Sequence, residues 1–273
     1  MPELPEVEVT KKSLEDCLKG RSITSIDIRE KRLRWNLNQT DLNNIIGQKI
    51  QTLTRRGKYI LINTEPGSAL LHLGMSGNIS ILENDQPLKK HDHFDLIIDD
   101  NRIIRFNDPR RFGSFIWAGK RPEKHKLLSK LGPEPLENEF LGSHLYDLSK
   151  NRKTSIKAFI MNAQVVVGVG NIYASEVLFT SGIHPKRKAN RISKDRYMQL
   201  ASVIQETLKR AIAKGGTTLR DFSYSHGGKK IGYFQQELFT YGREGSKCKN
   251  CSKPIKQIML SGRSSFYCSG CQH

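Results

Sequence analysis

The chain begins Met1-Pro2-Glu3-Leu4-Pro5-Glu6, and the second and third of these residues are the ones with chemistry in them. Proline is small enough for an initiator methionine to be trimmed. The chain would then start with a free secondary amine. An α-amino group has a reference pKa of about 8, far below that of lysine, so part of it is unprotonated near neutrality. Such an amine attacks a sugar or aldehyde carbon and forms an iminium. Glu3 stands beside it as a proton donor or acceptor. The same six residues also suit a plain helix start, because proline is at home in a first turn.

A second constellation closes the sequence. Cys248, Cys251, Cys268 and Cys271 form two C-x2-C pairs separated by sixteen residues. That spacing predicts one tetrahedral structural zinc ion, Zn2+. Disulfides are the weaker reading in a reducing compartment. Arg263 lies between the pairs, beside Gly262 and Ser264, where a ribbon hairpin would project it. Lys247, Lys249, Lys253 and Lys256 surround it without an opposing acid. Structural zinc with an exposed arginine is a common way to contact nucleic acid. The fifth cysteine, Cys17, shares an apolar stripe with Leu14 and Leu18 and is expected to be a buried core thiol.

Other segments are ambiguous one by one. Lys150, Arg152, Lys153 and Lys157 are either a solvated helix face or phosphate contacts. Val166 to Tyr173 is a glycine turn opening a helix, but Tyr173 stands where a dinucleotide fingerprint needs its third glycine. Its amides, with Asn171, suit a phosphate; a packing turn between helices fits equally. His91-Asp92-His93 has no third metal ligand in view, so phosphate contact or simple hydrogen bonding is preferred, with both histidines on one strand face. Met75 in Leu73–Gly77, and Phe112 beside Arg110 and Arg111 in Asp108–Gly113, read either as core or as apolar wedges for a base stack.

The elements that must position these residues follow from composition and periodicity. The 273-residue chain has 45 Lys+Arg against 27 Asp+Glu, a net charge of +18, so its partner is polyanionic and nucleic acid is favoured. No apolar run is long enough for a membrane span and no signal peptide is evident, so a soluble intracellular protein is expected. A helix is predicted over 3–19, stopped by Gly20. Short strand-like runs fill about residues 22–118: 22–29, 58–63, 69–73, 78–82, 94–98, 102–106 and 114–117, suggesting a β-sandwich. Leu131 to Pro135 reads as a linker, 193–214 as an amphipathic helix, and 217–234 as a mobile glycine-rich loop.

Taken together, the segments Met1–Glu8, Arg55-Arg56-Gly57-Lys58-Tyr59, His72–Gly77, Lys90–His93, Asp108–Gly113, Leu131–Pro135, Val167–Ala174 and the terminal cysteines resemble the formamidopyrimidine-DNA glycosylase family nearly end to end. The resemblance implies an α+β multidomain protein. It would have an N-terminal β-sandwich catalytic domain with flanking helices (1–132), a linker (133–148), a helix–two-turn–helix domain (149–235) and a C-terminal zinc finger (236–273). It implies a bacterial, cytoplasmic, nucleoid-associated monomer with no redox cofactor. Its partner would be double-stranded DNA carrying oxidised purines or abasic sites. Pro2 would be the Schiff-base nucleophile and Glu3 the proton donor for sugar opening. Lys58 would be a strand lysine assisting β-elimination, and Arg263 the finger arginine of δ-elimination. His91, Arg110, Arg152 and Asn171 would contact DNA. Met75, Arg110 and Phe112 would fill the gap left by a flipped base. Two alternatives remain: the endonuclease VIII-like branch, which takes oxidised pyrimidines, and a non-catalytic zinc-ribbon DNA-binding protein. Leu4 and the Met75, Arg110, Phe112 set favour the purine branch.

Overall fold

The computed structural model describes residues 2–216 and 238–273, together with the backbone of two short strands between them, Ser225–His226 and Lys229–Lys230. The chain divides into two units, each made of two segments: Met1–Ser129 with Lys214–Gln235, and Lys130–Ala213 with Gln236–His273. The loop expected over 217–234 lies, apart from those two strands, outside the described residues. Among the described residues no helix is long and apolar enough to cross a membrane.

In the first unit, helix α1 (Leu4–Leu18) starts at a capping box. Glu3 is the N-cap, and its backbone N–H donates to Glu6 Oε2 at 2.8 Å. Pro5 sits in the first turn, where a missing N–H costs nothing. Val7, Leu14, Cys17 and Leu18 then face the core. Burial pushes the Cys17 thiol up, as expected of a core thiol.

Strand β1 (Ile23–Ile28) and the short helix α2 (Gln39–Leu42) come next. They are followed by β2 (Thr52–Arg56), β3 (Tyr59–Asn63), β4 (Ser68–His72), β5 (Asn78–Leu82), β6 (Asp92–Ile98), β7 (Ile103–Asn107) and β8 (Ser114–Gly119). One sheet has the order β2-β3-β4-β8; all its pairs are antiparallel. The other runs β1-β6-β7-β5 and is extended by β9 (Ser225–His226) and β10 (Lys229–Lys230). β9 is parallel to β5. Both sheets feed one buried cluster, with Ile60, Ile62, Leu71 and Phe115 from the first and Ile79, Phe94, Leu96 and Phe106 from the second. Phe94 stacks on Phe106 at 4.9 Å and on Phe115 at 5.4 Å, so its ring joins the sheets. This is the expected sandwich. β2 is absent from the sequence-based strand list because only Leu53 in it is buried, which leaves no alternating apolar signal.

The outward side of the second sheet carries a buried ion cluster. Asp95 accepts from Arg29 at 2.7 Å and from Arg105 at 2.8 Å, and neither Asp95 nor Arg105 is more than 5% exposed. Burial opposes ionisation of Asp95, but the bonds from Arg105 and Arg29 outweigh it and hold the carboxyl below its usual range.

The second unit holds α3 (Gly142–Ser149), α4 (Ile156–Ile160), α5 (Asn171–Thr180) and α6 (Lys194–Ala213). The buried stripe of α6, from Tyr197 to Ala211, packs in an array with α3 and α5. α3 occupies part of the stretch expected to be linker. Its Leu145 is fully buried, so the segment is packed structure and not a spacer. The hairpin β11 (Ile255–Leu260) and β12 (Arg263–Cys268) completes the unit. Phe179 of α5 joins Ile255, Phe266, Cys248 and Cys268 in a small core, so the finger clusters with the helices and not as a separate body.

Asp95→Asn should destabilise the protein by about 3–5 kcal/mol, since it leaves two guanidiniums with a weakened partner. The sign with pH follows from the lowered pKa. The ionic contribution is complete above the unfolded value of about 3.9 and is lost as pH falls through the folded value. Urea midpoints of wild type and variant should therefore converge in acid.

Candidate functional site

Pro2 and Glu3 are both buried at the head of α1, Glu3 with 1% of its surface exposed. The helix is fixed to the next candidate by Arg55. Its Nε donates to Glu8 Oε2 of α1 at 2.7 Å, and its Nη1 donates to the carbonyl of Gly57 at 3.1 Å. Gly57 and Lys58 are the two-residue turn between β2 and β3, closed by the pair Arg56 and Tyr59. Lys58 therefore stands on a hairpin turn, not on the strand expected for it. Gly57 adopts φ +59, which glycine tolerates and which suits a primed hairpin turn.

From the turn, contacts run on towards Met75 and Phe112. The rings of Tyr59 and His72 lie 4.7 Å apart. His72 Nδ1 accepts the N–H of Gly74 at 3.0 Å, so this nitrogen carries no proton. Burial, then the charges of Lys58 and Arg34, push the His72 pKa down to about 4, which keeps the ring neutral. Gly74 leads into Met75, which is half-buried. A Cβ on Gly74 would meet the carbonyl carbon of Phe112 at 2.3 Å, so the two loops touch backbone to backbone. Phe112 is 41% exposed and Arg110 Cζ lies 5.2 Å from its ring centroid, an arrangement that core packing does not explain.

His91 and His93 do not both lie on a strand, although their rings stand 6.1 Å apart. His91 has φ +76 in the turn before β6, and the pairing is irregular between Asp92 and Phe94. His93 is buried, with Nε2 bonded to the carbonyl of Asp108 at 2.7 Å, whereas His91 is half-buried. Sequence reasoning missed Asp108, Arg55 and His72. An aspartate opening a glycine-closed turn is a detectable signal for the first; the other two act through contacts distant in sequence.

In the second unit Arg263 is exposed at the start of β12, after a Ser261-Gly262 turn in which both residues have positive φ. Two donors hold this hairpin at Ser264. Asn171 Nδ2 donates to its carbonyl at 3.0 Å, and Lys157 Nζ donates to the same oxygen at 3.1 Å and to Ser265 Oγ at 2.8 Å. Lys157 is 2% exposed, so it is neither a solvated-face lysine nor a surface phosphate contact. Its charge is buried because these oxygens replace water. Asn171 Oδ1 is buried without a hydrogen-bond partner. Arg152 is exposed after α3.

The sulfurs of Cys248, Cys251, Cys268 and Cys271 lie within 4.8 Å of one another and form no disulfide. Tetrahedral thiolates around a zinc ion at about 2.3 Å would be roughly 3.8 Å apart. The Cys248–Cys271 and Cys251–Cys268 separations are 3.8 and 3.3 Å. The N–H groups of Asn250 and Gly270 point at Cys248 and Cys268 sulfur at 3.4 Å. A Cβ on Gly270 would fall 2.8 Å from Lys253 Cδ and 3.0 Å from Cys251 sulfur, so a side chain there would crowd the second knuckle. Four thiolates with oriented amides fit a metal ion. Glu176 of α5 secures the entry to this module. It is 5% exposed and accepts the consecutive amides of Phe239, Thr240 and Tyr241 at 2.7–2.9 Å, plus the Thr240 hydroxyl.

Comparison with known proteins agrees along the chain. Residues 1–115 match the formamidopyrimidine-DNA glycosylase N-terminal domain and residues 131–223 match the formamidopyrimidine-DNA glycosylase H2TH domain. The formamidopyrimidine-DNA glycosylase of Marinobacter nauticus is 48% identical over 272 residues, and that of Nitrosococcus oceani 49% over 273, each covering 100% of both chains. The Lactococcus lactis Fpg in complex with abasic-site DNA superposes with a TM-score of 0.90 at 30% identity, covering 99% of both chains. The Thermus thermophilus protein gives 0.87 at 32% identity, covering 99% of this chain and 98% of its own.

Glu176→Gln should cost about 2 kcal/mol, because a charge-assisted set of bonds loses its charge and one acceptor oxygen becomes a donor. Amide exchange at residues 239–241 should accelerate, while exchange in the sandwich strands stays unchanged.

Proposed function

This chain belongs to the formamidopyrimidine-DNA glycosylase family, and from that premise we propose that it is a bifunctional DNA glycosylase and abasic-site lyase of base excision repair that removes oxidised purines through Pro2. The observation that carries the reading is the buried Pro2-Glu3 pair at the capped head of α1, tied through Arg55 to the turn that bears Lys58. Relatives of similar structure were solved on DNA containing Fapy-dG or an abasic site. A net charge of +18 suits a phosphate backbone.

The chemistry follows from an amine and an acid side by side. A base cannot be attacked inside the duplex, so the nucleotide is flipped out. Met75, Arg110 and Phe112 occupy the space it leaves. The Pro2 nitrogen bonds to C1′ as the glycosidic bond breaks and its electron pair leaves with the base, which takes up a proton. Glu3 gives a proton to the ring oxygen as the sugar opens, which leaves an iminium between Pro2 and C1′. The iminium acidifies C2′. Loss of that proton expels the 3′ phosphate, and a second elimination expels the 5′ phosphate. Lys58 assists the first elimination and Arg263 the second. Water then releases Pro2. His91, Arg152 and Asn171 hold the DNA backbone. Cys248, Cys251, Cys268 and Cys271 would hold one zinc ion, whose role is to fold the finger; no redox cofactor enters the sequence of steps. The enzyme acts as a monomer on double-stranded DNA in the bacterial cytoplasm.

Borohydride should trap the protein on duplexes carrying 8-oxoguanine or an abasic site, and peptide mapping should place the adduct on residue 2. An adduct confined to a lysine would overturn the assignment. Cys268→Ser should release the zinc, measured as metal per chain, and weaken DNA binding while the sandwich stays folded. Arg110 can read the acceptor edge of cytosine opposite the lesion. Arg110→Ala should therefore narrow the ratio of excision opposite cytosine to that opposite adenine, whereas Met75→Ala slows both.

A further inference from the structure

Asp108 is fully buried and connects the two loops that carry the wedge residues. Its Oδ1 accepts the Ser76 hydroxyl at 2.6 Å and the Arg110 amide at 3.3 Å. Its Oδ2 accepts the Gly113 amide at 2.7 Å. Ser76 Oγ in turn accepts the Arg110 amide at 3.2 Å, which closes a small ring of bonds. The main chain of Asp108 is fixed as well: its N–H donates to the His91 carbonyl at 3.0 Å, and its carbonyl accepts from His93 Nε2 at 2.7 Å. A carbonyl only accepts, so His93 carries its proton on Nε2.

We infer that Asp108 is a positioning residue that makes Met75, Arg110 and Phe112 move and insert as one body, with Ser76 as the latch between the two loops. This rests on the wedge role of those three residues in the proposed reaction. Two observations carry it. First, the carboxylate divides its oxygens between the loops: Ser76 comes directly after Met75, and Gly113 directly after Phe112. Second, the loops meet backbone to backbone, because a Cβ on Gly74 would fall 2.3 Å from the Phe112 carbonyl carbon, and the Met75 loop is itself closed by the Gly77 amide donating to the Leu73 carbonyl at 2.8 Å. A carboxylate accepts hydrogen bonds but donates none, so each N–H and O–H aimed at it is oriented by it. Met75 therefore cannot enter a base stack while Arg110 and Phe112 remain outside. Stack opening and inspection of the opposite base become one event.

The test is a double-mutant cycle in single-turnover excision of 8-oxoguanine from a duplex. Met75→Ala and Phe112→Ala should be strongly non-additive in the wild-type background. They should become additive once Ser76→Ala removes the latch. Ser76→Ala alone should slow excision by about ten- to a hundredfold, the loss of one charge-assisted bond. Ser76→Thr, which keeps the hydroxyl, should restore the rate. Borohydride trapping on single-stranded abasic DNA has no stack to open and should be unaffected by Ser76→Ala. Additivity in the wild-type background, or excision by Ser76→Ala at the wild-type rate, would overturn the latch. So would an equal loss on single-stranded DNA, which would mark general damage. Failure of the wild type itself to be trapped on duplex abasic DNA would instead sink the glycosylase-lyase reading on which the latch depends.

Discussion

The capped head of α1 is the constraint on which the first unit depends: Pro2 and Glu3 are buried there, and the chain enters the helix at Leu4. The first unit holds that head from several directions. The capping box of Glu3 and Glu6 fixes the direction in which the chain enters the helix. Val7, Leu14 and Leu18 anchor the helix in the sandwich core. Arg55 couples the same helix, through Glu8, to the turn bearing Lys58. For the reaction proposed at Pro2, a rigid helix head removes the entropy of positioning that residue before the substrate arrives.

Polar bonds then extend the order outward from the helix. His72 receives the amide that leads into the Met75 loop, and Asp108 joins that loop to the one bearing Arg110 and Phe112. The second unit uses the same device. Asn171 and Lys157 converge on the Ser264 carbonyl, next to Arg263, and Glu176 gathers three successive amides at the entry to the finger. In each case a polar side chain fixes the main chain of a loop or hairpin.

The legible part of the molecule is the part written in short-range pattern. The stripe of α6, the stop after α1, the two C-x2-C pairs and the glycine turn before α5 are local, and they lie where the spacing puts them. The Pro2-Glu3 pair stands out as a candidate because its residue types are chemically unusual at that position. β2 is not legible, since one buried leucine in five residues carries no period. Lys58 reads as a strand residue because the residues after it are apolar, and only the pairing register reveals the turn. Lys157 looks like surface charge in the sequence because its partners, Ser264 and Ser265, lie more than one hundred residues away. Long-range pairing is the information that a reading by local composition lacks.

The pairing of β9 with β5 also concerns how the protein is made. Ser80 and Ile81 find their parallel neighbours at Ser225 and His226, on the far side of the whole helical segment. As the nascent chain grows at about 5–20 residues per second, β5 waits several seconds for that partner. During that interval the sheet has an open edge of unsatisfied amides and carbonyls, the kind of edge that recruits strands from other chains. The final step in building the sandwich is therefore a late closure, and the growing polypeptide must stay soluble until it comes.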